Sequence, residues 1–340
     1  MAALAGSRTL VFALPYWGHL STCLALADAL AAGDARTVFA FVYPPPDWVA
    51  REIAAHGHDC HWSLRYVRSA LGAADRSTQR RAVVTAEAEI IRAVRPDAVL
   101  NDVHLTTPSA ARACGAPVVS IVRCPYPGDR WREAWGDVQL APHSPRWLPL
   151  PAPGVVHCRP AWAERRGMTA EAVEPVPVAA ALCTADEQPT HLRLVLDAFE
   201  RLEDEWVLCY PHADPAAAGS SRVVPWADVD ALLAGARVLV CHGGHGLIGR
   251  AVMRGVPVVV LETDEPHTPI YGAALEAAGA GVLVRRADQS AAAVRDATRR
   301  AMEDGALRAG AAALRRSTEA LPGIADAFEA ALEARACAAS

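Results

Sequence analysis

Residues 225–284 read PWADVDALLAGARVLVCHGGHGLIGRAVMRGVPVVVLETDEPHTPIYGAALEAAGAGVLV, and the order of their apolar runs, glycines and helical segments decides the fold. The run ARVLVC (236–241) is apolar without alternation, as a parallel strand buried on both faces should be. His242, Gly243, Gly244, His245 and Gly246 then turn the chain sharply. Glycines there permit positive φ and let backbone N–H groups approach a ligand without Cβ interference. The helix LIGRAVMR follows, and its unpaired first N–H groups and dipole favour a phosphate. Gly255 and Pro257 end it before a second strand, VPVVVLE. The pattern is β-turn-α-β-turn-α.

Working outward, the same alternation recurs on both sides. TLVFAL (9–14) is a short apolar strand, PYWGHL (15–20) the loop at its end, and Ser21 a candidate cap for the helix STCLALADALAAGD, which stops at Gly33. TVFAFVY is a second strand, Asp47 to His56 a helix, and HDCHWSL a third strand. Thr78 to Val94 reads as a helix, PDAVLND (96–102) as a fourth strand, SAARACG as a helix begun by Thr107 or Ser109, and APVVSIV as a further strand. Successive βα units of this kind form open parallel sheets, whose ligands gather beyond the C-terminal strand ends; His19 and Asp102 lie at two such ends. From Arg123 to about Pro175 the chain mixes Trp131, Trp135, Trp147 and Trp162 with many prolines, which reads as loop and short-helix material suited to walling a pocket or bridging domains.

Proline returns in TAEAVEPVP (169–177) ahead of a fresh strand, VAAALCT, so the boundary is expected there: an N-terminal domain over 1–172 and a C-terminal domain over 173–340. Two domains suit 340 residues. The last helical segments pack on one face, and the final one is expected to cross back to the first domain. A net charge of −5 gives no basic footprint for nucleic acid. No run reaches the roughly 18 apolar residues that span a bilayer, and the N-terminal apolar run reads as a buried strand in place of a signal peptide. Nine widely spaced cysteines without a CxxC suggest reduced thiols in a cytoplasmic protein. His56, His58 and His61 lack an acidic cluster and read as ordinary histidines.

Pro225-Trp226, His242-Gly243-Gly244-His245-Gly246, Gly255-Val256-Pro257 and Asp264-Glu265, in that order, resemble the C-terminal signature of the GT-B glycosyltransferases that glycosylate small molecules and natural products from nucleotide-sugars. Gly18-His19, Pro96-Asp97, Asp102, Gly115 and Pro117 extend the resemblance over most of the chain. It implies an α/β protein of two Rossmann-like parallel-sheet domains facing a central cleft, the first binding the acceptor and the second the donor. It also implies an inverting transfer from a UDP- or TDP-sugar in antibiotic or other secondary metabolism, without a metal, and leaves room for a homodimer.

By that resemblance His19 is the general base, since imidazole is the side chain that exchanges a proton near neutral pH. Asp102 accepts its other N–H and stabilises the imidazolium. His242 and the amides of Gly243, Gly244, His245, Gly246 and Leu247 hold the diphosphate, and Trp226 stacks on the base. Trp17, His104, Trp131 and Trp135 are candidates for the acceptor side. Three positions depart from the family pattern: Arg250 stands where a ribose-binding Glu is common, Glu265 replaces the Gln of the Asp264 pair, and His245 fills the variable position of the glycine turn. Those three are where donor specificity is expected to be decided. The trimmed first half hints at a small or polar acceptor, while the tryptophans between 131 and 162 argue partly for an aromatic or sugar ring. A nucleotide-sugar epimerase on the same fold, or a catalytically inactive helper that binds a partner enzyme, are the competing readings.

Overall fold

The structure is a computed structural model and describes residues 4–62, 75–125, 129–150, 154–166, 170, 172–182, 188–211 and 222–339. The chain divides into two units. The first takes Met1–Pro142, Leu150–Thr169 and Leu321–Ser340, and the second takes His143–Pro149 and Ala170–Ala320. No single cut separates them, because a seven-residue excursion and the last helix lie out of sequence order.

In unit 1 the strands are β1 (Arg8–Phe12), β2 (Arg36–Phe41), β3 (Asp59–Trp62), β4 (Ala98–Asp102), β5 (Val118–Ile121), β6 (Val138–Ala141) and β7 (Val155–His157). They form one parallel sheet in the order β3-β2-β1-β4-β5-β6-β7. Its helices are α1 (Trp17–Ala32), α2 (Asp47–Ala55), α3 (Arg76–Val94) and α4 (Thr107–Ala113). Both faces of the sheet are covered, which is why β1 and β4 are buried along nearly their whole length, with the consecutive apolar runs Leu10–Phe12 and Ala98–Leu100 in place of an alternation.

Unit 2 repeats the plan with β8 (Val178–Ala181), β9 (Trp206–Cys209), β10 (Val223–Val224), β11 (Val238–Cys241), β12 (Val258–Leu261) and β13 (Gly281–Val284). These are also parallel, in the order β10-β9-β8-β11-β12-β13. The helices are α5 (Gln188–Phe199), α6 (Val229–Leu233), α7 (His245–Arg254), α8 (Thr268–Ala277), α9 (Ala291–Glu303) and α10 (Gly305–Glu319). Each unit is thus a doubly wound Rossmann-like sheet whose strand order reverses once, between β1 and β4 in unit 1 and between β8 and β11 in unit 2. The final helix, α11 (Ile324–Ala339), belongs to unit 1: Ile324, Phe328 and Ala331 share a buried cluster with Leu20, Leu24, Val119 and Leu140.

Three local expectations are corrected. Helix α1 begins at Trp17 with Tyr16 as its N-cap, so Ser21 is buried inside the helix and caps nothing. Helix α3 starts before Thr78, because Asp75 caps it by accepting from the amides of Ser77 and Thr78, each at 2.9 Å. The proline- and tryptophan-rich segment is more than loop. It contributes β6 and β7, strands of four and three residues too short to carry a periodicity.

Candidate active site

The reversal point of unit 1 is built from β1, β4 and β5. His19 lies in the first turn of α1, just beyond β1, and its amide donates to the Tyr16 carbonyl at 3.0 Å. Asp102 is the last residue of β4, and Arg123 lies two residues past β5. His19 Nδ1 is 2.9 Å from Asp102 Oδ2, although 83 residues separate them in sequence. The Arg123 guanidinium donates to the other carboxylate oxygen, Oδ1, and its Nη1 stands 3.2 Å from His19 Nδ1. Asp102 is fully buried while 30% of the His19 side chain is exposed. With Nδ1 committed to Asp102, Nε2 is the ring nitrogen left to meet a substrate.

Burial alone would raise the Asp102 pKa, but the Arg123 charge, then His19 and the hydrogen bonds from both, hold it well below the usual carboxylate range. Asp102 is therefore a permanent anion at neutral pH. Cys23, on the buried face of α1, feels the other side of this. Burial first, and then the Asp102 charge and hydrogen bond, push its thiol well above its ordinary value.

The turn after Asp102 is held by Asn101. Its Nδ2 donates to the carbonyls of His104 (3.1 Å) and Ala134 (2.8 Å) and to Ser120 Oγ (3.2 Å), while its Oδ1 accepts from the His104 amide (3.1 Å). That network holds Val103 at φ 67°, a left-handed conformation that a β-branched residue rarely adopts. His104 packs edge-on to Phe12, and burial lowers its pKa, so it is neutral. Nearby, the fully buried Glu87 of α3 accepts from Thr106 Oγ1 (3.0 Å) and Thr107 Oγ1 (2.8 Å). Burial raises its carboxyl to about 7.

Unit 2 carries a second constellation at its own reversal point. His242 follows β11, Gly243 has φ 90°, and Gly244 caps α7 without a side-chain bond. A Cβ on Gly243 would stand 3.1 Å from Thr268 Cβ and from Val260 Cγ1, and one on Gly244 would stand 2.8 Å from His242 Nε2. Both positions therefore need glycine. His242 is buried, and burial takes its pKa down to about 4 against the opposing effect of the nearby Ala181 carbonyl, so the ring is neutral; Nδ1 is buried without a hydrogen-bond partner. The first amides of α7, His245, Gly246 and Leu247, point out of a helix end that no side chain caps.

The three departures from the family pattern fare differently. The His245 ring stacks on Trp147 (5.4 Å between centroids, 24° between planes), with Nε2 3.4 Å from His143 Nδ1 and Tyr271 5.7 Å away. It is a buried member of an aromatic cluster, with only its backbone amide at the helix end. Arg250 bonds Asp230 of α6, which lies one helix away in the same unit. Both carboxylates of the β12–α8 loop are exposed: Asp264 pairs with Arg286, and Glu265 Oε2 stands 4.0 Å from His267 Nδ1, with the Glu265 amide on Thr263 Oγ1 at 3.1 Å. Trp226 is half-buried just after β10.

Of the residues expected to meet an acceptor, Trp17 is covered by Arg165, whose Cζ lies 5.4 Å from its ring and 4.8 Å from that of Trp48. Trp135 packs against the buried cluster of Val122, Ala141 and Leu150, and the Trp131 side chain lies outside the described residues. Trp147 is buried in unit 2. These tryptophans are packing residues where the structure describes them. His56 and His58 both bond Asp28, at 2.8 and 2.9 Å. Among the described residues no group of three or more His, Cys, Asp or Glu is arranged to hold a metal ion, and no helix is long and apolar enough to cross a membrane.

Sequence reasoning missed Arg123. Its one signal is a charge at the end of an otherwise apolar strand, VVSIVR, where a buried cation needs a buried anion beside it.

Comparison with known proteins adds the following. Residues 193–332 match the family model described as Erythromycin biosynthesis protein CIII-like, C-terminal domain. Tylactone mycaminosyltransferase of Streptomyces fradiae is 37% identical over 101 residues, an alignment that takes in 30% of this chain and 22% of that relative's length. Among solved structures, the glycosyltransferase SnogD from Streptomyces nogalater superposes with a TM-score of 0.73 at 23% identity, over 98% of this chain and 99% of that one. The glycosyltransferase VinC, in complex with DTDP, superposes with a TM-score of 0.74 at 18% identity, over 96% and 98%. Likeness at these identities is a likeness of fold.

Proposed function

We propose that this chain, which has the GT-B fold of the natural-product glycosyltransferases, is an inverting glycosyltransferase that moves a sugar from a UDP- or TDP-linked donor to a hydroxyl of a small-molecule acceptor. The observation that carries the reading is the His19–Asp102 pair at the reversal point of unit 1. An imidazole with one nitrogen on a buried carboxylate and the other unclaimed is a general base awaiting a substrate proton.

In the reaction, His19 Nε2 takes the hydroxyl proton as the acceptor oxygen attacks the anomeric carbon from the face opposite the leaving group. The bond to the nucleoside diphosphate breaks and the configuration inverts. Asp102, kept ionised by Arg123, stabilises the imidazolium as it forms. The diphosphate, whose negative charge grows as the bond breaks, is held by the amides of Gly243 to Leu247, the positive end of α7 and His242. Trp226 stacks on the nucleobase, while Asp264 and Glu265 meet the sugar hydroxyls; an exposed acidic Glu265 suits a hydroxyl-rich or amino sugar. His104, neutral and beside Asp102, is an acceptor-side contact.

A screen of UDP-, TDP- and GDP-sugars by thermal shift and donor hydrolysis tests this. A ligand that binds the folded chain raises its melting temperature. Stabilisation by a UDP or TDP species, with slow release of the free sugar, is expected; indifference to all three would remove the donor assignment.

A further inference from the structure

Among the described residues, the large hydrophobic side chains that stand exposed are Tyr16 (61%), Tyr43 (43%) and Trp62 (42%). All are aromatic, and they fall in one place. Tyr16 follows β1, Tyr43 follows β2 and Trp62 ends β3, and these strands are consecutive neighbours in the parallel sheet. Register pairs Phe12 with Ala40 and Phe41 with Trp62, so the three chains leave the sheet at the same edge. This is the C-terminal edge, where such sheets bind ligands.

Two further observations tie this row to the candidate base. The Tyr16 ring centroid is 6.5 Å from that of His19. Arg165 lies between the rings of Trp17 and Trp48, at 5.4 and 4.8 Å, which joins the start of α1 to the start of α2 and keeps the β1–α1 and β2–α2 loops side by side. The tryptophans that the sequence suggested for this purpose are occupied in packing, while Tyr16, Tyr43 and Trp62 keep ring surface open to solvent. Single exposed apolar residues need no explanation, but three aromatic ones on adjacent strand ends beside a general base do.

Resting on the proposed transferase reading, we infer that Tyr16, Tyr43 and Trp62 form an aromatic rail that selects a flat, aromatic acceptor and presents its hydroxyl to His19. Rings offset-stacked or edge-on to these side chains gain attraction beyond apolar burial, and a saturated ring of the same size does not. The rail thus decides between planar phenolic and saturated alicyclic alcohols, and no charge at this edge is required for the choice.

Equilibrium dialysis without donor tests the rail alone, using 1-naphthol and decahydro-1-naphthol, which share skeleton and hydroxyl and differ in aromaticity. The wild type should bind 1-naphthol roughly tenfold more tightly. Tyr16→Leu, Tyr43→Leu and Trp62→Leu, which keep apolar surface and remove the aromatic ring, should each weaken 1-naphthol by about three- to tenfold, leaving decahydro-1-naphthol, the melting temperature and nucleoside diphosphate affinity unchanged. Equal affinity for the two probes, or a triple Leu variant that binds 1-naphthol as the wild type does, would overturn the inference. Sugar transfer, assayed separately, reports on the enzymatic reading: transfer without aromatic preference sinks the rail alone, and aromatic preference without transfer to any hydroxyl sinks the transferase.

Discussion

Two turns occupy equivalent places in the two sheets, β4–α4 in unit 1 and β11–α7 in unit 2, each on the far side of the strand-order reversal. Each presents a candidate functional side chain at the strand end, Asp102 or His242, and each follows it with a left-handed residue, Val103 at φ 67° or Gly243 at φ 90°. They differ in what holds the turn. In unit 1, Asn101 locks the backbone, and the chemistry is a hydrogen-bonded network that joins the buried ions Asp102 and Arg123 to the partly exposed His19 ring. In unit 2 the turn is shaped by the absence of side chains, the adjoining imidazole is neutral, and the helix end is uncapped. One topology thus yields two kinds of site. A base needs an ionised, fixed partner, and an anion site needs donors that nothing else has claimed.

The largest expected effect on stability lies in the charged turn. Arg123→Met leaves Asp102 buried without its cation and should cost about 3–5 kcal/mol in urea denaturation; a loss under about 1 kcal/mol would show that Arg123 is not what keeps Asp102 ionised.

Opposed pH dependences come next. His242 has a folded pKa of about 4 against an ordinary 6.5, so the unfolded chain binds more protons between those values. Its contribution is complete above pH 6.5 and is lost as pH falls toward 4, roughly 3 kcal/mol in all. Glu87 in unit 1 runs the other way. Its folded pKa of about 7 lies above the ordinary 4.5, so its contribution is complete below pH 4.5 and is lost as pH rises toward 7, again roughly 3 kcal/mol. Stability curves against pH should lose the acid-side decline in His242→Asn and the decline toward neutrality in Glu87→Gln. A variant that follows the wild-type curve refutes the assignment for its own residue.

A smaller effect belongs to Gly243→Ala, which meets Thr268 and Val260 at 3.1 Å and must hold a positive φ. About 1–2 kcal/mol of stability should go, and nucleoside diphosphate affinity with it, as calorimetry would register. Val103→Gly should change stability least, within about 1 kcal/mol, because relief of the left-handed strain offsets the added freedom of glycine. The contrast between the turns would be wrong if Val103→Gly were the costlier of the two.

Much of this was legible in the chain. Strands such as VLVC and VVVL announce themselves because a parallel sheet covered on both faces admits no alternation. The glycine turn was legible for a comparable reason, since few sequences other than glycines reverse direction so tightly beside a helix start. His19 and Asp102 carry no local signal of their pairing; the family resemblance named them, and only the fold brings them to 2.9 Å. Arg123 was hidden because its partner lies on the neighbouring strand, a relation that spacing along the chain does not encode. His245 and Arg250 looked available as residue types, yet Trp147 and Asp230 engage them, and such commitments are made by packing. The short strands β6 and β7 were lost among prolines.

The division of labour between the two turns is tested most directly by comparing His19→Ala with the wild type for turnover and for nucleoside diphosphate affinity in the same preparation. The account predicts a fall in turnover of roughly 10²- to 10⁴-fold with affinity unchanged. Turnover at the wild-type rate, or a parallel collapse of nucleotide affinity, would contradict it.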